Sequence, residues 1–335
     1  MDSATSFFGI GIDLDFSSHN VQLYNGNKLK KLYKSMFKLK NIIIRVGLLA
    51  LFFSSSLLAQ HALVFQTDFG LEEPAVASMK GVAFSVSPEL NMFDITHEIP
   101  RFNIWEAAYR LDQAASYWPK GTVFVNVVDP GVGTNRKSVV LKTKSGHFFV
   151  SPDNGSLTLV AESLGIGEVR EINEKVNRLE GSLRSHTFHG RDVYAFTGAR
   201  LASGIITYEQ VGALLEPSVM KLNYTKPQLK NERITGYVPI LDAHYGNVWT
   251  NISVDLFDQL NLSVGDEAWV KITDNGQELF KQKVKYVSSF GGVEIGAPLI
   301  YINGILNLAI GINQGDIAMQ YEIKPGPDVL FEIWK

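Results

Sequence analysis

The sequence of 335 residues contains no cysteine. Disulfides, thiolate metal sites and a cysteine nucleophile are therefore excluded, while oxidising and reducing compartments fit equally well. An excess of one charge is also missing, since 31 lysines and arginines face 34 aspartates and glutamates for a net charge of −3. Nothing in that balance supplies the broad positive surface that holds a phosphate backbone, so nucleic acid is not an expected partner. No internal repeat and no low-complexity tract is present, which argues against a solenoid. No pair of histidines, or of histidine with carboxylate, has the spacing of a zinc helix, so no metal is expected. A Gly-x-Gly-x-x-Gly nucleotide fingerprint after the first strand is absent too.

What is there is an ordinary globular composition, 45% hydrophobic and 11% aromatic. That suffices for one large or two medium domains with real cores. The first part of the chain has a different character. Lys38 and Lys40 precede an apolar run from Ile42 to Phe53, followed by Ser54, Ser55, Ser56 and a possible cut after Ala59. Residues 36–59 thus read as a secretory signal and favour export, to the periplasm for instance. Arg45 interrupts the run and Leu57 is not a small residue, so an uncleaved membrane anchor or a cytoplasmic chain is the rival reading. The segment 1–35 shows no core pattern, and Met36 stands where such a signal begins, making it a candidate start; residues 1–59 are set aside from fold reasoning.

Residues 60–224 alternate short apolar runs with helical stretches, which predicts an α/β domain with a mostly parallel sheet sandwiched by helices. The strand-like runs are Ala62–Gln66, Met92–Ile95, Val123–Val128 and Phe148–Val150. Asn103 with Glu106 three residues on predicts a capped helix stopped by Pro119, and Asp192–Ala202 reads as another, closed by Gly204. A polar linker, 225–231, leads to short alternating strands and turns over 232–335, where Asp274-Asn275-Gly276 is a hairpin signal. This second part is read as a small all-β, barrel-like domain.

In open α/β sheets ligands sit beyond the carboxyl ends of strands, where Asp68, Asp129 and Asp153 all fall. Each alone is more simply a turn former. The segment VDPGVGTNR says more, because it joins a strand-end carboxylate, two glycines and Arg136 seven positions after Asp129. In TFHGRD, His189 and Gly190 precede a helix; the plainer reading is a capped start with Asp192 serving the helix dipole. A third cluster, Asp242 to Asn251, offers Tyr245 and Trp249 for stacking a purine and Asn247 for reading its edge, although aromatics in a β domain are more often core.

The motifs TDFG, DITHEI, VDPGVGTNR, SPDNG, TFHGRD and HYGNVWTNI, in this order, resemble the SAM hydroxide adenosyltransferase family, the adenosine-forming S-adenosyl-L-methionine hydrolases related to fluorinase and chlorinase. The resemblance runs from about Leu63 to the C-terminus. It implies that Asp129, Arg136 and His189 deliver water to ribose C5′, with S-adenosyl-L-methionine (SAM) as substrate and no cofactor. It implies further that Asp68 holds the ribose hydroxyls, that Tyr245, Asn247 and Trp249 contact the adenosine side, and that Asp242 and Glu73 receive the methionine ammonium. Phe102 and Phe188 complete the implied substrate-binding set. Glu73 stands where an Asp is usual in the family, and Phe102 where the halogenases have Trp. The halogenases also carry a Tyr where Asp129 stands and a Tyr-Ser pair where His189-Gly190 stands, which points this chain to water. Carboxylate contacts are expected from Tyr301–Gly315, around Asn303, Asn307 and Asn313. A homotrimer with its sites at subunit interfaces is implied as well. The chemistry of the reaction is consistent on its own terms: a sulfonium leaves as a neutral thioether, so neither an acid nor a metal is needed on the leaving side. A non-catalytic binder of SAM or adenosine and a halogenase are the alternatives.

Overall fold

A computed structural model describes residues 31, 34–38, 40 and 61–335. The chain divides into two compact units, Met1–Leu58 and Ala59–Lys335. In the first unit the described residues are exposed and helical, and the signal-like stretch otherwise lies outside the described residues. Among the described residues no helix is long and apolar enough to cross a membrane.

The second unit opens with a seven-stranded sheet of β1 (Leu63–Thr67), β2 (Met92–Thr96), β3 (Val123–Val127), β4 (Ser138–Thr143), β5 (Phe148–Pro152), β6 (Ile166–Glu171) and β7 (Leu214–Leu215), in the order β2-β1-β3-β5-β4-β6-β7. Strands β1 and β3 are buried at every position, as expected of strands covered on both faces. Successive side chains point to opposite faces. Leu63 and Phe65 therefore pack with Met79 and Ala83 of α1 (Ala75–Val86), whereas Val64 packs with Leu111 and Ala115 of α2 (Ile104–Ala115). Helix α3 (Thr158–Ser163) joins the α2 face, and α4 (Phe196–Ala202) joins the α1 face.

The sheet is mixed. Strands β2, β1, β3 and β5 pair in parallel, and β4, β6 and β7 continue it antiparallel. The parallel half follows the α/β alternation seen in the sequence and carries the loops of the site. The antiparallel half, β4, β6 and β7, adds three strands beyond those read from the sequence.

A nine-stranded sheet follows. Its strands are β8 (Gln228–Lys230), β9 (Arg233–Val238), β10 (Ile240–Asp242), β11 (Asn247–Ser253), β12 (Glu267–Asp274), β13 (Gln277–Tyr286), β14 (Pro298–Ile302), β15 (Asn307–Ile312) and β16 (Gly326–Trp334). All its pairs are antiparallel except β13 with β14. It curls on itself: the Tyr237 N–H of β9 donates to Asn251 Oδ1 of β11 at 2.9 Å, around a core that includes Ile234, Val248, Ile272, Ile310 and Phe331. The β12–β13 turn falls on Asn275 and Gly276, both at positive φ, as a tight twisted hairpin requires.

Helix α2 ties the halves together. Asn103 Oδ1 accepts from the Glu106 N–H at its start. Along its length Trp105 Nε1 donates to Pro239 O at 3.0 Å, Arg110 donates to Leu241 O at 3.2 Å, and just past its end the Tyr117 hydroxyl donates to Gly304 O at 3.3 Å.

Candidate active site

Two loops at the carboxyl ends of the parallel strands converge with the segment before α4. Asp68 follows β1, Asp129 follows β3, and His189 comes from the segment before α4. The loop after β3 folds back through Val132 N–H to Asp129 O and Thr134 N–H to Gly131 O, with Gly133 at φ +77, a conformation that favours glycine. That return brings Arg136 onto Asp129. Arg136 Nε donates to both carboxylate oxygens at 3.0 Å and Nη2 to Oδ2 at 2.6 Å. The same Nη2 lies 3.0 Å from His189 Nδ1, and Nη1 donates to Ser138 Oγ at 3.0 Å. Ser138 in turn meets the Tyr194 hydroxyl at 3.0 Å.

Chemistry fixes the direction of these bonds. A guanidinium only donates, so His189 Nδ1 accepts and the neutral ring carries its proton on Nε2. Nε2 is buried and has no partner within the chain. Burial lowers the pKa of His189 and the Arg136 charge pushes in the same direction, against the opposing pull of Glu174. Burial would also lower Arg136, but its bond to Asp129 outweighs that and holds the guanidinium charged. Burial raises Tyr194 well above the ordinary phenol range, keeping it a neutral hydroxyl.

His189 begins a π-helical turn, Gly190–Ala195, that runs into α4. Such wide turns are rare and recur at functional sites. Gly190 lets the turn approach Phe69, whose ring would stand 3.1 Å from a Cβ placed there. No side chain caps this helix start; Asp192 stands in its first turn, buried, and accepts from Arg191 Nε at 2.7 Å.

Asp68 is held by the loop that precedes α2. Its Oδ2 accepts the Phe102 N–H at 2.9 Å, with Phe102 at φ +67, a costly conformation for a bulky residue and one typical of functional loops. Burial raises the Asp68 carboxyl above its usual range, opposed by the Phe102 bond. Beneath it, Thr67 Oγ1 meets the buried His97 Nδ1 at 2.8 Å, His97 Nε2 lies 3.1 Å from Asp94 Oδ1, and Lys80 reaches Asp94 Oδ2 at 2.6 Å. Burial works to raise Asp94, yet its bonds from Lys80 and His97 prevail and hold it low.

The candidate residues gather in separate cavities. Asp68, Phe102, Asp129, Phe188 and His189 line one of about 210 Å³, with Arg136 behind the wall. Asp242, Tyr245, Asn247 and Trp249 line another of about 780 Å³, together with Phe290, Tyr301, Asn303 and Asp316. Glu73 falls in neither and lines a third, of about 800 Å³, beside Asp68 and Arg101. Of the segment expected to hold a carboxylate, Asn303 and Asn313 reach the second cavity and Asn307 does not. Asp153 takes the Met220 N–H and lines none of the three. In the second cavity Asn247 Oδ1, Trp249 Nε1 and Asn303 Nδ2 are buried without a hydrogen-bond partner in the chain, and burial pushes the Tyr301 hydroxyl up to about 12.

Sequence reasoning missed Arg101, Ser138, Tyr194, Phe290 and Asp316. Ser138 opens β4 two residues after Arg136, Arg101 precedes Phe102 and Asp316 follows Gly315, so their proximity follows from the chain; Tyr194 and Phe290 become visible only through contacts distant in sequence.

Known proteins speak to the same regions. The model of the SAM hydroxide adenosyltransferase N-terminal domain matches residues 63–212, and that of its C-terminal domain matches residues 236–330. An (R)-S-adenosyl-L-methionine hydrolase of Methanocaldococcus jannaschii is 39% identical over 67% of this chain and 78% of its own. A fluorinase of Nocardia brasiliensis is 28% identical over 81% of this chain and 96% of its own. An uncharacterized conserved protein from Thermotoga maritima has a crystal structure similar to this one with a TM-score of 0.75, at 38% identity over 82% of this chain and 100% of that one. With both of its domains matched along the two sheets that carry these cavities, the chain belongs to the SAM hydroxide adenosyltransferase family.

Proposed function

We propose that the protein hydrolyses S-adenosyl-L-methionine to adenosine and L-methionine. The observation that carries this reading is the Asp129–Arg136–His189 set, two members of which line the small cavity. In the reaction the oxygen of water bonds to ribose C5′ while the C5′–S bond breaks. The electron pair goes to sulfur, and one proton leaves the water. Arg136 holds Asp129 and His189 in a fixed relation through hydrogen bonds to both. A water between them can give a hydrogen to an Asp129 oxygen and take one from His189 Nε2–H, which aims its remaining lone pair at C5′. Asp68 keeps one oxygen for the ribose hydroxyls after accepting the Phe102 N–H.

Asp129 supplies a proton acceptor that a halide nucleophile has no use for, which favours water over the halide of a fluorinase. Incubation with SAM, with and without added fluoride or chloride, followed by chromatography tests this. Adenosine and methionine in equal amounts are expected. A 5′-halo-adenosine, or bound but uncleaved SAM, overturns the reading in favour of a halogenase or a binder.

The working site is shared between copies of the chain, in the trimer that the family resemblance implies. Phe102, before the start of α2, lines the small cavity, whereas Tyr117, past its end, touches Gly304 of the large one. Twelve helical residues, about 18 Å of rise, lie between them within one chain. A purine and the C5′ of the same nucleoside have to reach residues that line different cavities of one chain. Phe102 and Tyr245, at the rims, are 68% and 70% exposed in the single chain, apolar surface that a second copy would cover. Light scattering should give the mass of a trimer; an active monomer overturns this arrangement.

A further inference from the structure

The charges around the large and third cavities are lopsided. Asp242 and Asp316 line the large cavity, and among its described residues there is no lysine or arginine. Asp68, Glu72, Glu73 and Glu98 line the third cavity against a single cation, Arg101. SAM carries two positive groups, the sulfonium and the ammonium, and one negative group, the carboxylate. Such a lining attracts the first two and repels the third.

One uncharged group in the large cavity is suited to donate a hydrogen bond to a carboxylate. Asn303 is only 5% exposed, and its Oδ1 accepts from the Ile305 and Asn307 N–H groups at 3.1 and 3.0 Å. Those bonds fix which way the amide faces and leave Nδ2 without an acceptor in the chain. An amide N–H donated to a carboxylate sits at the low end of bonds to charged groups, about tenfold in binding, against about a hundredfold for a guanidinium or ammonium paired with it.

Resting on the hydrolase reading, we propose that this site selects the sulfonium and ammonium of its substrate and is nearly indifferent to the carboxylate, so that decarboxylated SAM, with a plain aminopropyl arm, is also a substrate. The step is the same: water oxygen bonds to C5′, the C5′–S bond breaks toward sulfur, and adenosine, 3-(methylthio)propylamine and a proton result. Asn303 is the residue that touches the carboxylate when there is one.

The test compares kcat/KM for the two substrates on the full chain by adenosine release. The decarboxylated substrate is expected within tenfold of SAM. Asn303→Asp keeps an oxygen for the turn but loses the N–H donor, and is expected to shift preference about tenfold further toward the decarboxylated substrate. Because that readout is a ratio, general damage to the fold does not move it. A preference for SAM above a hundredfold that Arg101→Ala abolishes would assign the carboxylate to Arg101 and overturn the inference. A ratio unchanged in Asn303→Asp overturns the role of Asn303. If SAM is cleaved and its decarboxylated form is not, the inference fails and the hydrolase reading stands; if neither is cleaved, both fail.

Discussion

The small and large cavities differ in how fully their polar groups are satisfied. Around the small one, Asp129, Arg136, Ser138 and Tyr194 form a connected hydrogen-bond network, with one buried donor, His189 Nε2, left over. The large one leaves Asn247 Oδ1, Trp249 Nε1 and Asn303 Nδ2 unpaired among aromatic rings. Buried polar groups are rarely left unpaired without a reason. The contrast separates two tasks. Chemistry is prepared in advance by a rigid network, whereas recognition is left open for a ligand to complete.

The largest effect should come from breaking the prepared side. Asp129→Asn removes the proton acceptor and leaves the buried Arg136 without its counter-charge. Adenosine release is expected to fall by about 10²–10⁴-fold, the usual worth of a general base, while SAM still binds in a calorimeter. Turnover within tenfold of the parent would remove Asp129 from the mechanism.

Trp249→Ala tests the open side. A stacked base contributes about 1–3 kcal/mol, so KM should rise about 10–100-fold with a smaller change in kcat. A loss confined to kcat would move Trp249 from recognition to chemistry and blur the contrast between the cavities.

The floor under Asp68 gives a smaller signal. His97→Ala leaves Thr67 without its buried partner and should cost about 1–3 kcal/mol of stability, read as a lowered Tm. An unchanged Tm would show that the Thr67–His97 contact carries no weight.

The mildest effect is on pH. Burial and Arg136 lower the pKa of His189 from 6.5, so its neutral form persists to a lower pH than that of a free imidazole. The acid limb of kcat/KM should lie below 6.5 and disappear in His189→Gln. The sign for stability follows: the unfolded chain takes up this proton first, so the contribution of His189 is complete above 6.5 and declines as pH falls toward the folded value. An acid limb at or above 6.5 would contradict the tautomer deduced from Arg136.

Much of this was legible in the chain itself. The buried runs of β1 and β3, the Asn103 cap and the Asn275-Gly276 turn obey local rules of period and conformation, and each forms as those rules require. The Asp129–Arg136 pair was legible too, because a seven-residue loop with glycines returns on itself. His189 lies 53 residues from Arg136, and His97 lies 30 from Thr67, so their contacts depend on the assembled sheet and not on local pattern. The turn at Gly190–Ala195 escaped notice because a π-turn has nearly the residue preferences of an α-helix. Strand β4 escaped because the hairpin returning to β5 carries neither Asn-Gly nor Asp-Gly but Lys144-Ser145-Gly146. Order along the chain is silent on which cavity a loop will reach, and the separation of Asp129 from Trp249 became apparent only in the folded molecule.

The length of α2 has a genetic consequence. If each working pocket takes its two walls from different chains, damage on one wall need not travel with damage on the other. Two impaired variants, one altered at Asp129 and the other at Trp249, would then rescue each other when unfolded and refolded together. Some pockets of the mixed assemblies would unite an intact Asp129 with an intact Trp249, and turnover at low SAM would exceed what either preparation gives alone.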